Sequence, residues 1–210
     1  MVVVIEGENM DKKSRFFEKT LPEGYVESYV VDASNKKLGI LFTSITFGIN
    51  TLVAMLIFFL YTWPRKDLIK VDFIWLKIII AALTYLVYVS LHELTHGLVY
   101  KLFTRQKVII GFRPPAAYCG TPDIYTYKVT SLFSLFAPLV VFAAVYLTAF
   151  FLVDDVLIKT LLLYLLTLHL TGCIGEIYGI GLYLFKFRKV SVLRRDFGAK
   201  QIYYTMPNKQ

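Results

Sequence analysis

Charge is scarce in this chain, and so are the side chains that most often do chemistry. Charged residues make up 18% of 210, hydrophobic residues 57%, and there are only two cysteines and three histidines. That balance excludes an ordinary soluble domain and points to a membrane protein. Cys119 and Cys173 form no C-x-x-C pair, which excludes a zinc knuckle or a dithiol redox motif. No basic stretch precedes the short apolar start of "MVVVIEGENM", so a cleaved signal peptide is not expected and the first long apolar block is read as an anchor. There is no internal repeat and no low-complexity tract.

The apolar residues fall in four blocks: Leu38 to Tyr61, Phe73 to Tyr100 with Lys77 and Glu93 inside it, Val129 to Val153, and Thr160 to Phe185 with Glu176. A helix needs about 20 residues to cross a hydrocarbon core, and each block has them. The expected fold is an all-α integral membrane protein of four transmembrane helices, at about 38–61, 73–101, 129–153 and 158–185, making one zincin-like domain over 38–186. An N-terminal segment, 1–37, and a tail, 187–210, flank it. "YVESYVVDAS" alternates as a short strand would. Between the second and third helices, "KVIIGFRPPAAYCGTPDIYTYK" reads as a short β-hairpin broken at Pro114-Pro115.

Of the 23 lysines and arginines, 18 lie in the N-terminal segment, the 101–128 loop and the region from Lys186 onward. By the positive-inside rule those three segments face the cytoplasm, in a multi-pass protein of the cell membrane with both termini inside. The cysteines then lie in or near the reducing half, so no structural disulfide is expected. The net charge of +8 is explained by this bias and by attraction to anionic lipid. The bilayer is the expected partner, and nucleic acid is not; oligomeric state is left open.

All three histidines, His92, His96 and His169, lie inside the apolar blocks, as do Glu93 and Glu176. Ionisable groups at membrane depth are costly and mark a site. A single buried histidine is commonly satisfied by helix packing, but five such groups are too many for that reading. On a helix His92 and His96 are one turn apart and about 40° around the axis, so both rings can reach one metal ion. Glu93 projects about 100° away, beside the ion and not on it, where a carboxylate can act as general base on an attacking water. H-E-x-x-H is the pattern of zinc hydrolases, and two imidazoles with one further ligand leave a position open for chemistry.

Glu176 and His169 are both candidates for the third ligand. At about 1.5 Å per residue His92 and His96 stand about 8 to 14 Å above Lys101, Glu176 about 15 Å above Lys186, and His169 about 26 Å. Depth favours Glu176, with His169 as a supporting group or the alternative ligand. Gly97, Gly172, Gly175, Gly179 and Gly181 are read as small-residue helix packing. Pro138 is expected to kink the third helix. Asn50 and Thr95 are read as interhelical hydrogen-bonders. Cys119 is read as a small packed group, and Tyr118 and Cys119 stay as candidate substrate contacts on a segment, 107–119, that could hold an extended peptide by its backbone.

The stretches "LHELTHGLVYKLF", "GFRPPAAYCGTP" and "HLTGCIGEIYGI", with "LPEGYVESYVVD" before them and "RRDFGAKQIYY" after, resemble a zincin peptidase family of small bacterial membrane proteins. That family was long classed as a domain of unknown function and is distantly similar to the site-2 proteases. The resemblance implies zinc on His92 and His96 with Glu93 as catalytic base. The family's acid after GC-x-G is usually aspartate; here it is Glu176, one methylene longer. The expected function is thus a membrane-embedded zinc metalloprotease that cuts a peptide or membrane-protein substrate. The alternatives are an inactive metal-binding protein with a regulatory or structural role, or a small transporter.

Overall fold

The computed structural model describes residues 2–5, 16–69, 72–113 and 116–207, so the Pro114-Pro115 break lies outside the described residues. In chain order the elements are β1 (Val2–Ile5), β2 (Phe17–Glu18), β3 (Val26–Asp32), α1 (Lys36–Leu56), α2 (Ile74–Thr104), β4 (Val108–Arg113), β5 (Ala116–Tyr127), α3 (Lys128–Leu152), α4 (Val156–Gly172), α5 (Ile174–Gly181), β6 (Val192–Asp196) and β7 (Lys200–Thr205). α1 runs on without a stop through a π turn, Ile57–Thr62, and a 3-10 turn, Trp63–Leu68, whose Pro64 sits at its start. α5 likewise runs into a π turn, Leu182–Lys186.

Three helices are long and apolar enough to cross a membrane, and a fourth if α4 and α5, bent by 44° at Cys173, count as one. Their exposed residues are the large apolar ones: Phe47, Trp75, Phe151 and Leu152 are all more than 70% exposed. A surface of that kind suits hydrocarbon and not water, and helices are the open structures that lipid tolerates because their backbone groups are satisfied internally.

The sheet is where the structure departs from the all-α expectation with one short hairpin. Seven strands are described, six of them in the order β1-β4-β5-β6-β7-β3 with β2 joined to β5, all pairings antiparallel. The N-terminal segment, the loop between α2 and α3 and the C-terminal tail each supply strands. Strand pairing over such distances leaves no local mark in a sequence, which is why only β3 and the β4–β5 hairpin were visible beforehand.

The chain forms two compact units. One takes Met1–Gly39, Leu91–Pro138 and Glu176–Gln210, and so holds the whole sheet with the last part of α2 and the first part of α3. Its interior is aromatic: Phe187 stacks on Tyr203 with ring centroids 5.3 Å apart, and Tyr183 meets Tyr203 edge-on at 5.7 Å. A second cluster, Tyr100, Val108 and Cys119, packs the β4–β5 hairpin against α2. Gly97 makes that approach possible, since a Cβ there would stand 3.3 Å from Ile110 Cδ1, 3.5 Å from Cys119 Sγ and 3.5 Å from Val108 Cγ1. α2 ends at Thr104 because Arg105 turns into the left-handed region, at φ 54°.

The other unit takes Ile40–Ser90 and Leu139–Gly175. Its core is Tyr88, Tyr146 and Leu165, with Tyr85, Val89, Phe142, Leu162 and Leu166 around them. Few polar groups lie between these helices, and each is paired. The Thr171 hydroxyl donates to Asn50 Oδ1 at 2.9 Å, and Lys77 Nζ meets Asp155 Oδ2 at 2.9 Å. Asp155 also caps α4 by accepting from the Ile158 N–H. Lys77 and the capped N–H hold its carboxyl below the usual range.

Candidate metal centre

The last three turns of α2 carry His92, Glu93, His96 and Tyr100, and the i, i+4, i+8 spacing sets His92, His96 and Tyr100 on one face. Glu176 lies in the first turn of α5, just past the break that ends α4 at Gly172. His92 Nε2 stands 2.8 Å and His96 Nε2 3.4 Å from Glu176 Oε1. One ligand atom from each of the three lies within 4.8 Å of the others. The side chains are 10%, 12% and 14% exposed, so the cluster is shielded but not sealed.

The donor set fits zinc. Two imidazole nitrogens and a carboxylate oxygen are its usual light-atom ligands, and atoms sharing one tetrahedral ion at about 2 Å stand about 3.4 Å apart. His96 also has the support that a ligand histidine needs. Its Nδ1–H donates to the Ser134 carbonyl at 2.8 Å, which leaves Nε2 unprotonated and aimed at Glu176.

Glu93 leaves the three-residue cluster to one side, as its 100° offset requires, and its charge is felt by His96 and Glu176. The backbone N–H of Cys119 is directed at the Glu93 carboxylate. Here β5 is paired with β4 through Ala116–Gly120, and β6 takes up its other side only from Thr121. Among the described residues no strand lies along the outer side of 116–120. The Cys119 side chain itself packs on Gly97, and burial pushes its thiol far above the usual range, so it is no nucleophile. Tyr118 points to the other face, with its ring against Gly111 and Gly198.

His169 lies in the second unit and is completely buried. Its Nδ1 accepts from the Tyr88 hydroxyl at 2.8 Å and its Nε2–H donates to the Leu139 carbonyl at 3.0 Å, with the rings of Phe142 and Tyr146 around it. Both ring nitrogens are occupied in this arrangement.

A group that sequence reasoning passed over stands behind the cluster. Tyr100 donates to Asp196 Oδ2 at 2.5 Å, Arg194 Nη2 meets the same oxygen at 3.0 Å and also reaches the Tyr100 hydroxyl, and the Gly198 N–H donates to Asp196 Oδ1 at 2.8 Å. Arg194 is wholly buried, although its position in a basic tail marked it as a solvated charge. The charge of Asp196 acts on both Glu93 and His96. The one signal available beforehand was an acid two residues from an arginine within an apolar, aromatic run.

Two histidines from one H-E-x-x-H turn, an acid brought from a later helix and a glutamate held beside them make a site of the zincin class. A family model described as "Putative zincin peptidase" matches residues 85–192, just over half of the chain, and the chain belongs to that family. Comparison with curated proteins and with solved structures found no match.

Proposed function

We propose that this chain is a membrane-embedded zinc metalloprotease, with zinc on His92, His96 and Glu176 and Glu93 as the general base. The observation that carries the reading is the convergence of three ligand atoms within 4.8 Å from residues 84 positions apart, on helices apolar enough for lipid. Zinc bound there would lower the pKa of a coordinated water towards about 7 and polarise a peptide carbonyl. The rest of the work falls to the chain. Glu93 takes the proton of the attacking water and returns it to the leaving nitrogen. The outer side of β5 at 116–119 accepts an extended substrate by main-chain pairing, beside Glu93, and this supports a peptide as the substrate.

The orientation follows from the same unit. A sheet that draws strands from before α1, between α2 and α3, and after α5 requires an even number of crossings between those segments. Their 18 basic residues favour the cytoplasmic side.

The test is metal analysis of the purified chain followed by Glu93→Gln. The variant is expected to keep its zinc and to lose cleavage, so that membrane proteins cut in wild-type cells accumulate uncut in a proteomic comparison. A purified wild type that binds no zinc refutes the reading. An unchanged proteome in Glu93→Gln cells would favour a regulatory, non-catalytic metal protein instead.

A further inference from the structure

Pro138 sits inside α3, four residues after Ser134. In an α-helix the carbonyl of residue i receives the N–H of residue i+4, and proline has none to give. Its ring also crowds the carbonyl four residues back and turns it off the helix line. The Ser134 carbonyl thus loses the partner its own helix would supply, and Ser134 is 1% exposed, so water is a poor substitute. His96 Nδ1–H fills the place at 2.8 Å. The Ser134 hydroxyl, 3.4 Å from the same nitrogen, is the weaker neighbour.

We propose that Pro138 is a positioning residue for the metal centre: by withholding an N–H it frees the Ser134 carbonyl to hold His96 Nδ1–H, and so fixes the tautomer that presents Nε2 to the ion. The inference rests on the metal-centre reading above. It accounts for an interior proline that would otherwise cost a helix about 3 kcal/mol. It also explains why His96 can be held from α3, an element that contributes no ligand.

Full-length wild type and Pro138→Ala, purified in detergent, are compared in three ways. Affinities for Zn2+ and Co2+ are read by competition with a chromophoric chelator, the cobalt-loaded proteins are examined by visible absorption, and the metal-free proteins are unfolded by heat. Alanine restores the N–H and is the better helix former, so the variant is expected to unfold no earlier than wild type. It should nevertheless bind both metals about 10–100-fold more weakly, the usual loss when a ligand's outer partner goes, with an altered cobalt spectrum. A proline that merely shapes the helix would change the melting curve and leave affinity and spectrum alone.

If wild type binds metal and Pro138→Ala matches it in affinity and spectrum, the proposal is overturned and the metal centre stands. If wild type binds neither ion, the metal-centre reading falls and the proposal with it. Should the variant misfold, nitrogen-15 spectra of the histidines in zinc-loaded wild type decide: a proton on His96 Nδ1 is expected, and one on Nε2 overturns the proposal.

Discussion

Replacing Asp196 by alanine should be among the most damaging single changes outside the metal ligands. The carboxylate accepts from Arg194, from the Tyr100 hydroxyl and from the Gly198 N–H, and the side chain of Arg194 is 0% exposed. Arg194 Nε and Nη1 already have no partner among the described residues, so the guanidinium has no second acceptor in reserve. It cannot shed its proton either. Breaking a buried ion pair by removing one member costs about 3–5 kcal/mol, because the other charge stays buried alone. For a chain of this size that is a fall in melting temperature of roughly 6–20 °C, readable by thermal unfolding in detergent. The companion Arg194→Met/Asp196→Ala removes the stranded charge and should recover most of the loss. A cost below about 1 kcal/mol for Asp196→Ala, or a double variant worse than the single one, would refute the assignment of a buried, paired Arg194.

Two further outcomes follow from packing and charge. At Gly97 alanine should be tolerated, because the nearest atoms at 3.3 to 3.5 Å are side-chain ends that can yield, whereas Gly97→Val should cost about 1–3 kcal/mol by lifting the β4–β5 hairpin off α2; equal melting curves for the two variants would contradict this. Asp155→Ala should cost about 0.5–2 kcal/mol through the lost cap of α4. Since the Asp155 carboxyl is held below its usual range when folded, its share of stability is complete above pH about 4, the unfolded value, and fades as pH falls through the lower folded one. The gap between wild type and Asp155→Ala in acid titrations of unfolding should therefore narrow below pH about 4, and a gap that widened there would be the wrong sign.

What could be read from the residues alone was what is local. Apolar blocks, the i, i+4 spacing of His92 and His96, and a single acid in the last block are each visible in a short window, and the depth comparison that singled out Glu176 over His169 needs only the rise of a helix. The sheet needed partners far apart: Val26 pairs with Thr205 and Val2 with Gly111. Arg194 looked like one more cytoplasmic charge because burial by a distant strand leaves no trace in its neighbours. The glycines near Glu176 divide in the structure. A Cβ at Gly179 would stand 3.0 Å from Leu135 Cδ1, as close packing requires, while at Gly172, Gly175 and Gly181 it would meet no described atom within 4 Å. Pro138 was visible as a break in a helix, but the use of the carbonyl it releases depends on where His96 lies in space.

The pairing of β3 with β7 has a consequence for how the chain is made. While α1 to α4 are being threaded into a bilayer, β3 has no strand beside it, and Lys200–Thr205, which supply one, are among the last residues to leave the ribosome. β6 and β7 arrive together, and with them Asp196, which steadies the motif helix through Tyr100. A nascent chain therefore carries its histidines and Glu93 long before the frame that aligns them exists. Cutting power would arrive only with release, which spares neighbouring proteins at the site of synthesis from a half-built enzyme.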